Sequence, residues 1–442
     1  MAAGPNVLFI LTDQQRYDGL SCRGHTPART PNLDRLAAQG TRLDSCFVQC
    51  PLCVPSRLSM LTGTYVHTHG AYINEHPIDE TLPTWAESLQ RAGYRTAAVG
   101  KTHSVHKGFD RVPINARGHS EGAPWPHGRT VRKVDYPKEQ YLDFRIARQA
   151  VVMLEEFARG PDPFALFVGV NAPHPPYLLP EPFDSMYDPA TIPMPAFEEG
   201  ELRDKTSGQR EMYDKFFKPL PQEHIRRMIA GYWASVAIAD AAAGMVLDGL
   251  EELGLADETL VCFTSDHGDL NGEHGLFSKF TSAYDSEVRV PMIWRWRGRI
   301  PEGQVVPDLV ESIDLVPTLL EAAGLDVFPE SQGRSLWPLL RGEPLDEPHR
   351  RFVTTTTGWI GMGIRPQGHM IRTERWKLVY YPLEQWGELY DMTDDPGEVR
   401  NLYRDAQCDE VRAELQAELL RFLTTSTYRP HQGHPRFTVK EF

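Results

Sequence analysis

The stretch Cys53-Val54-Pro55-Ser56-Arg57, closed by Thr62-Gly63, combines a thiol, a helix-starting proline, an arginine and a glycine stop within eleven residues. Pro55 suits a first helical turn, where its missing N–H costs nothing, and Gly63 suits the C-terminal exit. Cys53 then stands on a turn at the helix start, facing free N–H groups and the positive end of the helix dipole. Such surroundings lower a thiol's pKa and hold an oxyanion. On this stretch alone, any enzyme with a nucleophilic cysteine fits.

Four apolar runs, at 6–12, 96–100, 164–170 and 259–265, read as buried strands. Each is followed closely by polar residues able to do chemistry: Asp13-Gln14, Lys101 and His103, His174, and Asp266-His267. Sites in parallel α/β sheets form beyond the carboxyl ends of strands, where such loops converge. Taken singly, Asp13 could be a helix cap and His174 a loop residue satisfied by backbone bonds. Four together point to one site. Asp13 and Asp266 would repel at a shared rim unless a cation lay between them. Oxygen ligands favour calcium, magnesium or manganese, and the His267 nitrogen tilts toward manganese.

The elements that must position these groups are legible in outline. Apolar spacing and stop signals predict helices over 30–40, 53–63, 84–93, 141–158, 223–253 and 312–323, with Thr84-x-x-Glu87 as a capping box. A further strand is expected at 291–296. Residues 111–137 lack periodicity and read as a long ordered loop, and another irregular stretch runs to about 221. The 36 prolines, about 8% against a usual ~5%, agree with that loop-rich picture. After about residue 345, short alternating strands at 352–357, 369–373, 377–381 and 388–391 precede a helix at 409–424. We therefore expect a catalytic α/β domain over 1–345 and a smaller antiparallel α+β subdomain and tail over 346–442.

With 46 basic and 60 acidic residues, the 442-residue chain carries a net charge of −14. That argues against nucleic acid and anionic membranes as partners, and leaves an anionic substrate to be attracted locally. No apolar run is expected to be long enough to cross a bilayer. The segment 7–11 is too short and lacks the basic flank of a signal peptide, so a cytoplasmic location is expected. Six cysteines in a chain this size do not suggest a disulfide framework. Cys46, Cys50 and Cys53 lie close together, but no fourth ligand at zinc-motif spacing accompanies them.

The Cys-x-Pro-Ser-Arg…Thr-Gly pattern resembles, position for position, the signature of the formylglycine-dependent (type I) sulfatases of the alkaline phosphatase superfamily. Asp13-Gln14, Gly100-Lys101-x-His103, Pro173-His174-Pro175, Ser265-Asp266-His267-Gly268, Gly272-Glu273-His274-Gly275 and Lys279 follow in sulfatase order over roughly 5–325. The segment around 372–395 also looks familial. The resemblance implies an alkaline-phosphatase-like fold, a mixed, mostly parallel sheet sandwiched by helices. It also implies a hydrolase of a small sulfate monoester, arylsulfatase-like, served by a formylglycine-generating maturation enzyme.

Carried over onto this chain, the family's roles fall as follows. Cys53 becomes formylglycine, whose hydrate is the nucleophile. Asp13, Gln14, Asp266, His267 and the residue at 53 hold one divalent metal, calcium foremost, with manganese and magnesium the other choices. Arg57 holds the hydrate and balances charge beside the metal. Lys101 and Lys279 bind the sulfate oxygens, His103 acts on the second hydroxyl, and His174 protonates the leaving alcohol. Asn74 occupies the place of a polar substrate contact. Asp13-Gln14 and Asp266-His267 stand where many sulfatases carry Asp-Asp and Asp-Asn, and also resemble the phosphonate monoester hydrolases and choline sulfatases. A phosphonate monoester or phosphodiester hydrolase is thus the alternative. For the organic half of the substrate, residues 111–137, 177–221 and the tail after 428 are candidate walls, with Trp125, Tyr177, Trp359 and Trp386 as candidate stacking groups. That tail reaches a second copy as easily as its own domain, so a homo-oligomer stays open.

Overall fold

A computed structural model describes residues 4–76, 80–103, 106–116, 130–279, 282–357 and 367–426. Ten strands belong to the larger part of the chain: β1 Asn6–Asp13, β2 Thr41–Phe47, β3 Arg95–Lys101, β4 Arg111–Ala116, β5 Val131–Lys133, β6 Phe164–Pro173, β7 Tyr177–Leu179, β8 Thr259–Ser265, β9 Arg289–Arg295 and β10 Gln304–Glu311. Eight of them form one sheet in the order β10-β2-β9-β8-β1-β6-β3-β4. Only β9 runs against its neighbours; every other pairing is parallel. The central β1 and β6 are buried along nearly their whole length, as continuous apolar runs covered on both faces must be.

Helices close both faces. Pro31–Ala38, Leu142–Phe157 and Gln222–Glu252 pack Leu33, Ile146, Met153, Met228, Ile238 and Val246 against one side. Cys53–Thr62, Trp85–Arg91 and Leu315–Ala322 pack Leu58, Met60, Trp85, Leu89, Val316 and Leu319 against the other. The expected capping box forms: Thr84 Oγ1 accepts from the Glu87 N–H while the Glu87 carboxylate accepts from the Thr84 N–H. By length and composition Gln222–Glu252 would pass as a membrane span, contrary to the expectation that no apolar run is long enough. Its apolar window is 89% buried inside the fold, so it is the central core helix.

Four antiparallel strands, β11 Val353–Thr356, β12 His369–Arg372, β13 Trp376–Tyr381 and β14 Trp386–Asp391, make a second sheet, followed by the helix Asp409–Ser426. Val353, Met370, Val379 and Tyr381 share a core with the first sheet's Met292, Trp294 and Val310. A buried ionic knot adds to the join: Lys377 Nζ reaches Asp285 at 2.9 Å and Glu398 at 2.6 Å.

Several readings need correction. Residues 111–137 are not one loop: β4 is the edge strand of the large sheet and β5 pairs with β7. Their alternation is too short to stand out between Pro and Gly. Strands β2 and β10 were not expected at all, because Arg42, Asp44 and Asp308 interrupt their apolar residues near the sheet edge. The irregular stretch before 221 contains the helix Ser207–Met212, opened by a Thr206/Gln209 capping box.

Candidate active site

The strand order brings the four expected strand ends together, since β8, β1, β6 and β3 are consecutive in the sheet. A register shift after Leu11 sets Asp13 opposite Pro173, directly before His174. Cys53 is the first residue of its helix and 1% exposed. Its Sγ lies 3.2 Å from Lys279 Nζ, 3.3 Å from His267 Nε2 and 3.8 Å from Asp13 Oδ1. Ligand atoms of Asp13, Cys53, Asp266 and His267 all lie within 4.8 Å of one another, and all four residues are buried.

The two carboxylates divide their oxygens between two tasks. Both Oδ2 atoms are taken by cations: Arg57 Nε donates to Asp266 Oδ2 (2.8 Å) and Arg57 Nη2 to Asp13 Oδ2 (3.0 Å). Lys101 Nζ adds a second contact to Asp13 Oδ2 at 2.8 Å. Both Oδ1 atoms turn the other way, to 3.9 Å (Asp13) and 3.6 Å (Asp266) from His267 Nε2. Arg57 also donates through Nη1 to the Lys101 carbonyl, so one guanidinium ties the ends of β1, β3 and β8 together. His267 Nδ1 donates to the Gly268 carbonyl (2.9 Å), which leaves Nε2 facing the carboxylates and Cys53.

Electrostatics follow from this packing. Burial alone would raise Asp13's carboxyl, but Lys101, His174, Lys279 and Arg57 hold it well below its ordinary value. Burial and Asp13 push the Cys53 thiol up, yet Lys279, His267 and a hydrogen bond from His103 bring it well below the usual thiol range. Asp266, buried and beside Asp13, is shifted up. His267 is also shifted up, because Asp266 and Cys53 outweigh burial and Lys279. Burial, Lys101 and Lys279 push His174 well down, and its Nδ1 bonds the Pro175 carbonyl at 2.5 Å, so Nε2 carries no proton in the neutral ring.

Gln14, Arg57, Lys101, His103, His174 and Lys279 thus join the group around Cys53. Asn74 Oδ1 accepts the Val54 N–H (3.0 Å) and so steadies the Cys53 turn. Tyr177 is a core residue packed edge-on against Tyr232, and Trp386 packs against Tyr403 beneath Arg404. Trp125, Trp359 and the tail after 428 lie outside the described residues. Among the described residues no disulfide joins Cys46, Cys50 and Cys53.

Sequence reasoning missed the shell behind these groups. Ser265 Oγ accepts the Gln15 N–H (2.8 Å) and lies 3.0 Å from the His267 carbonyl. Asp269, one residue past the Ser265–Gly268 motif, is fully buried against Gln14. Backbone strain marks the same region. Of the seven described non-glycine residues with positive φ, Gln14, His103, Asn271, His274 and Ser278 lie in segments leading into the site. Such conformations persist only where the surroundings enforce them, and they cluster at functional sites.

Residues 5–325 match the family model described as Sulfatase, and residues 272–425 match the one described as N-sulphoglucosamine sulphohydrolase, C-terminal. The chain is 27% identical to an N-acetylglucosamine-6-O-sulfatase of Bacteroides thetaiotaomicron, over 98% of this chain and 88% of that protein. It is 29% identical to arylsulfatase K of Bos taurus, over 94% of this chain and 81% of the relative. Among solved structures, the phosphonate monoester hydrolase SpPMH from Silicibacter pomeroyi superposes with a TM-score of 0.82 at 26% identity, covering 96% of each chain.

Proposed function

The chain belongs to the sulfatase family and is a sulfuric ester hydrolase, and we propose that it cleaves a small sulfate monoester at Cys53, oxidised to formylglycine, beside one divalent metal. The observation that carries this reading is the convergence of Asp13 Oδ1, Asp266 Oδ1 and His267 Nε2 on the Cys53 side chain, with Lys279 on its flank. Cys53 Sγ stands where an oxygen of the formylglycine hydrate would project from the same Cβ. Because Cys53 is 1% exposed, the maturation enzyme would have to reach it before this fold closes.

The donor set suits such an ion. Two buried carboxylates, the Gln14 amide oxygen and one imidazole nitrogen match a hard divalent cation, calcium first and manganese or magnesium next. Bound there, the ion would acidify and orient the nucleophilic oxygen. The remaining work falls to side chains of this chain. Lys279, 3.2 Å from Sγ, and Lys101 would bind the oxygens of the transferring group. Lys101 uses one ammonium donor on Asp13 and keeps others for substrate. His103, hydrogen-bonded at Cys53, is placed to move a proton on the second hydroxyl. His174 is neutral in the free protein. An anion between Lys101 and Lys279 would offset the two cations that hold its pKa down, letting it take the proton it must give to the leaving alcohol.

Phosphonate ester hydrolysis is the second reading, supported by the superposition with SpPMH and by the Asp13-Gln14 and Asp266-His267 pairs. Rates on an aryl sulfate and an aryl phosphonate ester, measured side by side, separate the two. Mass spectrometry of the peptide spanning 43–57 tests the nucleophile. We expect formylglycine at 53 in active protein and at least ~10³-fold lower turnover in Cys53→Ser and Cys53→Ala. Either variant at near-parental rate would overturn the mechanism.

A further inference from the structure

We infer that Asp269 is a positioning residue that fixes which end of the Gln14 amide faces the metal-ligand group, and that it places Lys279 as well. The inference rests on the metal-centre reading above and concerns the support behind it. Gln14 is fully buried, with φ 76, and its backbone is clamped on both sides. Its N–H donates to Asp266 Oδ1 (3.0 Å), and its carbonyl accepts from the Tyr232 hydroxyl (3.1 Å). Little freedom remains except rotation of the terminal amide, whose two ends have opposite chemistry. Only the oxygen can ligate a cation.

Two partners decide the rotation. Gln14 Nε2 donates to Asp269 Oδ2, with Ser278 Oγ at 3.3 Å, while Gln14 Oε1 accepts from Lys279 Nζ at 2.8 Å. An ionised carboxylate only accepts and an ammonium only donates, so one orientation satisfies both and the flipped one satisfies neither. Asp269 is itself held. Its Oδ1 accepts the Asn271 N–H (2.6 Å) and the Ser278 N–H (3.1 Å), and its carbonyl accepts from Arg16 Nη1 (3.0 Å). The bond to Ser278, together with Leu270 N–H to the Ser278 carbonyl (2.9 Å), closes the loop that turns back to Lys279. One carboxylate therefore sets a ligand oxygen with Oδ2 and the approach of a neighbouring cation with Oδ1.

The test pairs an isosteric substitution with a double variant that exchanges acid and amide. Asn at 269 keeps the shape but turns an NH₂ toward Gln14, driving the Gln14 oxygen away from the site. Metal-stripped parent and Asp269→Asn proteins are titrated with Ca²⁺ and Mn²⁺ in turn, and kcat and KM are measured separately. We expect Asp269→Asn to bind the ion 10–100-fold more weakly, the range for losing a supporting hydrogen bond, with kcat falling more than KM rises. In Gln14→Glu/Asp269→Asn the carboxylate at 14 accepts from the new amide with one oxygen and offers the other to the site. Ion affinity should return to within about threefold of the parent, which a purely structural role for Asp269 would not produce. Parental affinity in Asp269→Asn, or no recovery in the double variant, overturns the inference. A parent protein that binds neither ion overturns the metal centre itself and this inference with it.

Discussion

Replacing Arg57 with methionine keeps most of the side-chain volume and removes the charge that holds two buried carboxylates. Arg57 is 3% exposed and donates to Asp13, Asp266 and the Lys101 carbonyl. Asp13 keeps Lys101 at 2.8 Å, and Asp266 keeps the Gln14 N–H at 3.0 Å, so the group left without a counter-charge is Asp266. Breaking a buried pair from one side costs about 3–5 kcal/mol, and the surviving partners place this case near 4. At ~2.1 cal/mol/K of unfolding entropy per residue over 442 residues, that is a fall of about 4 °C in Tm. The sign with pH is fixed. Asp266 is already shifted up by burial and Asp13, and losing Arg57 shifts it further above its unfolded value. A carboxyl raised in the folded state supports folding below its unfolded pKa and loses that support as pH rises through the folded pKa. The deficit should therefore be small at pH 5 and full at pH 8. Adding Asp266→Asn removes the stranded charge, so the double variant should recover at least about 2 kcal/mol relative to the sum of the singles. Urea denaturation of the four metal-free proteins at both pH values measures this. A cost below about 1 kcal/mol at pH 8, equal costs at both pH values, or strict additivity would refute the reasoning.

His67 stacks on Tyr65, meets Phe422 edge-on and lies 2.9 Å from Ser426 Oγ, which docks the end of the helix Asp409–Ser426. Burial, with a smaller push from His369, brings its pKa down to about 4, so its support is whole above 6.5 and fades as pH falls toward 4. Discounted for partial exposure, the loss is roughly 1–2 kcal/mol. Protection factors of the amides at residues 419–426, taken relative to intrinsic exchange at each pH, should fall between pH 7 and 4.5 in the parent and not in His67→Phe; unchanged protection in the parent would refute it. Gly100 has φ 99, and a Cβ there would meet the Gly169 carbonyl oxygen at 2.2 Å. Gly100→Ala should cost about 3 kcal/mol or more and cut turnover by displacing Lys101; a variant with parental Tm and kcat would show that β3 has room to shift.

The parts of the fold that could be read from sequence are those whose pattern is set by full burial. β1, β6 and β8 are uninterrupted apolar runs because both faces are covered, and the helix Gln222–Glu252 shows its spacing over many turns. Strands at or beside the sheet's edge gave no such signal. In β2 and β10 buried positions alternate with half-exposed ones, and charged residues occupy the latter. Much of the site was legible for a related reason: Asp13, Lys101, His174 and Asp266 stand at the ends of strands that announce themselves. Asn74 and Asp269 do not. Their work is to satisfy a backbone N–H and an amide, tasks that many residues in many loops perform, and only coordinates tell which.

Charge at the centre explains how a chain of net charge −14 can work on an anion. Arg57, Lys101 and Lys279 face Asp13, Asp266 and the depressed Cys53 thiol in a buried space. A divalent ion held by Asp13, Asp266 and His267 would add two positive charges to that space. Exchanging the thiolate for a neutral hydrate, as proposed, would add one more positive unit, which a sulfate monoester carrying a single negative charge would partly offset. The same count gives the oxygen partition its purpose. Had Arg57 faced the Oδ1 atoms, it would have competed with an ion for them; on Oδ2 it orients both carboxylates and leaves their inner oxygens open to a metal. On the proposed reading, substrate attraction would depend on both the ion and the modification of Cys53, and protein lacking either should bind inorganic sulfate more weakly than protein carrying both.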